Sequence, residues 1–410
     1  MIPGKEAIRG LRCLRCGAVT APTLVVYLCE KCGGNQEVEL DLALVRDTWP
    51  REELDAEEDQ SMWRYAPLLP VESRLDGPPV GMTPLIAAPL LARRFGVGAV
   101  LVKDDGRNPS ASFKDRASAI ALVHAREAGH DLVVAASTGN AAAATAVLAA
   151  PAKMKVRIFV PRTAPRAKIA QLLTFGAEVF AVDGTYDQAF ELSIAATRRY
   201  GWYNRNTGFN PFTREGKKTV SFEICEQLGM RAPDLVVVPV GDGNIISGVW
   251  KGFVEFQRLG LIESLPRLLA VQAAGSAAVA AALAGDGVLR PVSGETIADS
   301  ISVSMPRDGE AALKAVRDSG GYAVTVTDDE ILAAIPDLAR SSGVFAEPAA
   351  AAGLAGLARA HAEGRLGGAR VVVMLVTGHG LKDVSAAMRT AGEPRSISPD
   401  AAALEQVFGA

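Results

Sequence analysis

The chain has 410 residues, 49% of them hydrophobic and 22% charged, with a formal net charge of −3. That is enough length for two or three domains with cores of their own, in the composition of a globular rather than a disordered protein. A charge so near neutral excludes nucleic acid or an anionic membrane as the main partner. The N-terminus MIPGKEAIRG is no signal peptide, and no apolar run approaches the ~18 residues of a membrane span, so a cytoplasmic protein is expected.

At the N-terminus, CLRC and CEKC place Cys13, Cys16, Cys29 and Cys32 in two CxxC knuckles. Such knuckles turn four thiolates toward one point, the pattern of a closed structural zinc ribbon. Two disulfides are the other reading, and they do not suit a chain without an export signal. A closed four-thiolate site does no chemistry and stabilises a small module that lacks a core. Cys225, in the helical pattern VSFEICEQLG, reads as a small core residue. Residues 46–84 read as loop, acidic at RDTWPREELDAEEDQ and rich in Pro and Gly at LDGPPVGMTP.

From about Val97 short β-branched runs alternate with helical stretches: LVVAAS, AAAATAVLAA, VRIFV, APRAKIAQLLTFGA, EVFAV, DQAFELSIAATRRY. This predicts an α/β fold of parallel strands with crossover helices, whose ligands bind at the carboxyl ends of strands. Four such ends carry unusual residues. In the first, AVLVKDD is a strand and DRASAIALVHAREAG a helix, so Lys114 of NPSASFKDR falls near a helix N-terminus, which lowers an amine's pKa and makes it a nucleophile. The plain alternative is a solvent-exposed lysine.

The second, ASTGN, offers Ser137, Thr138, Gly139 and Asn140 to an anion or carboxylate, beyond what helix capping alone requires. The third, VPVGDGNIISG, offers the amides of Gly241, Asp242, Gly243 and Asn244 to a phosphate. It is neither a Walker loop nor a dinucleotide fingerprint. The fourth, MLVTGHGLKD, ends a strand at Thr377, whose hydroxyl can bond a neutral ring nitrogen without protonating it. His379 beside it reads as a surface or packing residue.

Together these motifs resemble the pyridoxal-phosphate (PLP) enzymes of the tryptophan synthase β-subunit fold, fold type II. NPSASFKDR, NPFTREGKKT and TGHGLKD are most similar to the threonine synthase family, over roughly Pro84 to Asp383. Some threonine synthases also carry an N-terminal CxxC ribbon.

The resemblance implies two PLP-binding α/β layers behind a zinc-ribbon module. The ribbon would span residues 1–42, the large domain 43–117 and 206–410, and the small domain 118–205. Lys114 would hold the cofactor as a Schiff base and shuttle protons, with Phe113 beside the ring. Asn140 would bond the ring 3′-oxygen, and Ser137, Thr138 and Gly139 the substrate carboxylate. Gly241, Asp242, Gly243, Asn244 and Ile245 would hold the cofactor phosphate, and Thr377 would face the ring nitrogen. A neutral ring is a weaker electron sink than a protonated one and favours elimination over transamination. The expected reaction is conversion of O-phosphohomoserine and water to threonine and phosphate, with Lys103, Ser110, Arg214 and Lys217 as candidates for the substrate phosphate.

The chain departs from the family pattern near both phosphates. Ser110 and Ala111 replace Thr and Gly of PTGSFKDR, Arg214 stands one place later than in NPxRxEGQKT, and Lys217 replaces Gln. Two other functions therefore stay open: a deaminase or a β- or γ-replacement enzyme of the same fold, and a non-catalytic protein whose ribbon binds a partner. Joint presence of Lys114, Asn140 and Thr377 disfavours the last. The expected partner is a small amino-acid substrate, and a homodimer is the family habit.

Overall fold

The computed structural model describes residues 5–22, 26–162, 164, 166–399 and 401–409. Its thirteen strands are β1 (Ile8–Cys13), β2 (Val19–Thr20), β3 (Gln36–Leu40), β4 (Leu85–Ala87), β5 (Ala99–Asp104), β6 (Leu132–Ala136), β7 (Lys155–Pro161), β8 (Glu178–Val182), β9 (Tyr203–Asn204), β10 (Leu235–Pro239), β11 (Arg267–Ala273), β12 (Tyr322–Val326) and β13 (Val371–Val376). They form three sheets.

The larger sheet has the order β12-β11-β10-β13-β5-β4 and is parallel except for β4, which runs against β5. Its central strand β10, LVVVP, is buried at every residue. Helices cover both faces of such a sheet, so its strands need no polar side. The second sheet, β8-β7-β6-β9, is parallel throughout and lies within residues 132–204. In both, the strands lead at their carboxyl ends into the turns that carry the unusual residues.

Helix Lys114–Glu127 is sunk against helix Phe212–Lys217. A Cβ on Gly216 would fall 1.9 Å from the carbonyl oxygen of Arg116, so only glycine lets these backbones touch. The N-terminal sheet is antiparallel, order β2-β1-β3. The expectation that this module lacks a core needs correction: Leu11, Val38 and Leu40 join the main hydrophobic core and share it with the body.

Residues 46–84 also differ from the loop expected. Asp41 caps a helix at Leu42–Thr48, a second follows at Arg51–Ala56, and a helical turn spans Met62–Leu68. Its apolar residues decide the outcome over the charged ones around them. Tyr65 packs on Phe222, ring centroids 5.2 Å apart, and Phe222 stacks on Phe256 at 4.3 Å. No helix among the described residues is long and apolar enough to cross a membrane.

A buried charge network fixes the start of helix Lys114–Glu127. Arg116 bonds Asp105 at 2.6 and 2.9 Å and Glu223 at 2.8 Å, and Lys103 pairs with Glu223 at 2.7 Å. Burial opposes it, but Arg116 and Lys103 hold the Glu223 carboxyl down to about 2. Glu223 therefore contributes stability that is complete above pH 4.5 and is lost as pH falls toward 2. Glu223→Gln should lower unfolding free energy by about 3–5 kcal/mol, because it leaves buried cations uncompensated. Urea denaturation at pH 7 checks this, with a loss under about 1 kcal/mol counting against the network.

Candidate active site

Four strand ends open on one cleft. From β6 come Ser137, Thr138, Gly139 and Asn140; from β10, Gly241, Asp242, Gly243, Asn244 and Ile245; from β13, Thr377; and from the turn after β5, Phe113 and Lys114. The part between the two sheets has a volume of about 480 Å³. Phe113 N–H donates to the Thr377 carbonyl at 2.9 Å, and Ser112 bridges to Gly378, so the lysine turn and the end of β13 are joined directly.

Lys114 is the first residue of its helix, and among the described residues its Nζ makes no hydrogen bond or ion pair. Burial and the neighbouring Arg205 bring its pKa down to about 8. The Thr377 hydroxyl likewise has no hydrogen-bond partner among the described residues. Asn140 opens helix Asn140–Ala149, and its amide donates to Glu347 at 2.8 Å and Ser300 at 3.2 Å. Ser137 Oγ accepts from Gly139 N–H at 3.2 Å.

The glycine loop makes a cradle with little spare room. Gly243 has φ +90° and caps helix Asn244–Arg258 with no side-chain acceptor. A Cβ there would lie 2.7 Å from Ala312 and 2.8 Å from the Asp308 carbonyl, and one on Gly241 would lie 2.9 Å from Ile301. The Asn244 side chain turns out of the cradle: its amide donates to Asp308 at 2.6 Å and its carbonyl accepts from Lys217. Only its backbone remains for an anion.

The candidates for a substrate phosphate separate. Lys217 lines the cradle, next to the glycine loop. Three others are turned away from the cleft and already satisfied. Lys103 is fully buried against Glu223, Thr83 and Gln227. Ser110 bonds Asp115 at 2.7 Å. Arg214 binds both oxygens of Asp308 at 2.6 and 2.7 Å.

Two residues of the cleft carry no local sequence signal. Arg205 follows β9 and is 1% exposed; it donates to Ser118 at 3.1 Å and Thr207 at 3.2 Å, and its Nη2 has no partner. Burial lowers its pKa to about 10. Glu347 precedes helix Pro348–Ala362, and burial raises its carboxyl to about 7. Lys114, Lys217 and Arg205 thus stand around one cleft without an ion pair among the described residues, and burial depresses all three. Such cations call for anionic ligands.

The donor set fits a phosphorylated aldehyde cofactor: a depressed-pKa lysine for the aldehyde, and a cradle of amides with Lys217 for the phosphate. Outside the lining of the cleft, the Sγ atoms of Cys13, Cys16, Cys29 and Cys32 all lie within 4.8 Å of one another. Cys13 and Cys32 are 3.5 Å apart and Cys16 and Cys29 3.7 Å. Four sulfurs around one tetrahedral ion lie about 3.8 Å apart, so the arrangement can take a single ion.

Comparison with known proteins agrees. The sequence profile of the family described as pyridoxal-phosphate dependent enzyme matches residues 77–378. Threonine synthase of Methanocaldococcus jannaschii is 38% identical over 402 residues, 97% of this chain and 98% of that one. Threonine synthase of Synechocystis is 39% identical over 84% of this chain and 89% of its own length. Among solved structures, threonine deaminase isoform 2 of Solanum lycopersicum has a TM-score of 0.64 and 25% identity, covering 75% of this chain and 87% of that one. Diaminopropionate ammonia lyase of Escherichia coli, at 0.65 and 20% identity over 75% and 86% of the chains, shares the fold.

The lowered pKa of Lys114 sets a pH dependence for its reaction with an aldehyde. Capture of pyridoxal phosphate needs the neutral amine, so its rate should rise with pH through a midpoint near 8. Stopped-flow absorbance on cofactor-stripped protein measures that midpoint. A rise centred near 10.5, the ordinary lysine value, would contradict the environment described.

Proposed function

Since the chain belongs to the pyridoxal-phosphate dependent enzymes and, within them, to the threonine synthase family, we propose that it converts O-phosphohomoserine and water to threonine and phosphate. The observation that carries this reading is the uncompensated cation left over once the cofactor is provided for. Lys217 and the glycine loop serve the cofactor's phosphate, which leaves Arg205, with its free Nη2, for another anion. A deaminase acting on serine or threonine brings no second phosphate.

When bound, the cofactor supplies an electrophilic aldehyde and a sink for charge at the substrate Cα. Lys114 would hold the aldehyde and, when released, move protons at Cα and Cβ of the substrate. Ser137, Thr138 and Gly139 would bind the substrate carboxylate. The Asn140 amide donates to Glu347 and Ser300, and it would have to give up Ser300 to donate to the ring 3′-oxygen. Thr377 would serve the ring nitrogen as a neutral partner, with Phe113 beside the ring. Arg205 holds the phosphate as it leaves Cγ. Cγ ends as a methyl group after gaining a proton, and the oxygen of water joins Cβ.

Residues 118–205 form the small domain in this reading. Its closure on the body expels bulk water while charge is on Cα. The four cysteines take a structural zinc ion, which the sulfur spacing and the absence of a disulfide among them support.

Phosphate release and threonine formation from O-phosphohomoserine test the assignment. The native protein should yield both products in equal amounts, and Lys114→Ala neither. Arg205→Gln should keep the visible absorbance of bound cofactor and lose about a hundredfold in kcat/KM, as expected when a buried charge pair is broken. Release of phosphate without threonine, or turnover of threonine to ammonia and a keto acid instead, would overturn the assignment in favour of a lyase of the same fold.

A further inference from the structure

The four-cysteine module meets the body through several polar contacts, and one of them reaches Asp308. Asn35, three residues beyond Cys32, donates its side-chain amide to Asp308 Oδ1 at 2.9 Å and to the Arg307 carbonyl at 2.6 Å. Its own carbonyl accepts from Leu14 N–H at 2.9 Å, inside the first knuckle. Arg15, between Cys13 and Cys16, pairs with Glu310 at 2.9 Å and donates to the Cys32 carbonyl at 3.4 Å. Both knuckles therefore grip the same short stretch, residues 307–310.

That stretch seats the glycine loop. Asp308 is 1% exposed and accepts from Asn244 Nδ2 at 2.6 Å and Ser247 Oγ at 3.2 Å, while its N–H donates to the Asp242 carbonyl at 2.8 Å. Gly243 lies directly on its backbone. Strand β3 adds two more ties: the Gln36 carbonyl accepts from Arg214 at 3.3 Å, and the Val38 carbonyl accepts from Lys251 of helix Asn244–Arg258.

Resting on the cofactor and zinc assignments above, we propose that the four-cysteine module braces the cofactor's phosphate loop, with Asn35 as the positioning residue that connects the metal site to it. An ion bound by Cys13, Cys16, Cys29 and Cys32 fixes both knuckles, the knuckles fix Asn35 and Arg15, and these hold Asp308 where it orients Asn244 and the loop amides. Loss of the ion then weakens cofactor binding across the module boundary, although no cysteine lines the cleft.

Equilibrium titration of the full-length protein with pyridoxal phosphate tests the brace, with zinc content and circular dichroism measured on the same samples. Asn35→Ala should keep stoichiometric zinc and native dichroism and bind the cofactor about tenfold more weakly, part of the loss expected for a hydrogen bond to a buried carboxylate. Chelating the metal from the native protein should weaken binding comparably, yet add little in Asn35→Ala, because both changes break one connection. Arg9→Ala, whose side chain pairs with Asp41 and with no other charged group among the described residues, should change nothing. Unchanged affinity in Asn35→Ala, or chelation acting equally on both proteins, overturns the proposal. Should Asn35→Ala fail to fold, Arg15→Ala at the exposed Glu310 pair replaces it, and unchanged affinity there counts against the brace equally. A native protein that binds no pyridoxal phosphate would instead sink the cofactor assignment, and one that binds it but holds no zinc would remove the metal from the proposal.

Discussion

The guanidinium of Arg116 sits wholly inside the protein, and the position of the reactive lysine depends on how that charge is satisfied. Asp105 comes from the end of β5 and Glu223 from helix Thr219–Gln227, so the network ties the large sheet, the lysine helix and the helix behind it together at one point. Burying four charges is costly unless each is paired and hydrogen-bonded, and here each is. Such directional contacts allow one geometry. Lys114, two residues before Arg116, inherits it, and Phe113 passes it to Thr377 through a backbone hydrogen bond. The relative position of Lys114 and Thr377 is therefore set by the fold itself.

Around the cleft the logic reverses. Among the described residues Lys114, Lys217 and Arg205 have no carboxylate partner, and the nearby acids Asp242 and Glu347 are pushed toward their neutral forms by burial. A protein at its most stable would pair these groups with one another. Here they are held apart, and an anionic ligand would offset the desolvation cost of these buried cations. The depressed amine of Lys114 follows from the same crowding, so nucleophilicity and anion affinity share a cause.

The sequence made legible what sits at strand ends. Lys114, Asn140, the glycine loop and Thr377 each follow an apolar run, and topology alone brings such turns together. What it hid depends on partners distant in the chain. Lys103 and Arg214 look like free cations until Glu223 and Asp308 are placed beside them. Arg205 and Glu347 lie in NRNTG and FAEPAA, stretches with no distinguishing pattern, and gain meaning only from what faces them. Residues 46–84 read as loop because their charges and prolines are conspicuous, whereas Met62, Tyr65 and Leu68 are buried in the main core, Tyr65 against Phe222 and Phe256, which no local window contains.

The N-terminal module shows the difference between contact that adheres and contact that positions. Leu11, Val38 and Leu40 bury apolar area in the common core, and such contact is non-directional, tolerating small shifts at little cost. Asn35, Arg15 and the β3 carbonyls bond single atoms, and a displacement of about 0.5 Å already degrades a hydrogen bond. A module needing only attachment would rely on the first kind. This one also bonds residues 307–310 and the helix behind the glycine loop, beside the backbone amides that the proposed function assigns to an anion. Phosphate binding by amides depends on their direction more than on any side chain, so rigid support delivered from outside the cleft is as much a part of that site as the loop itself.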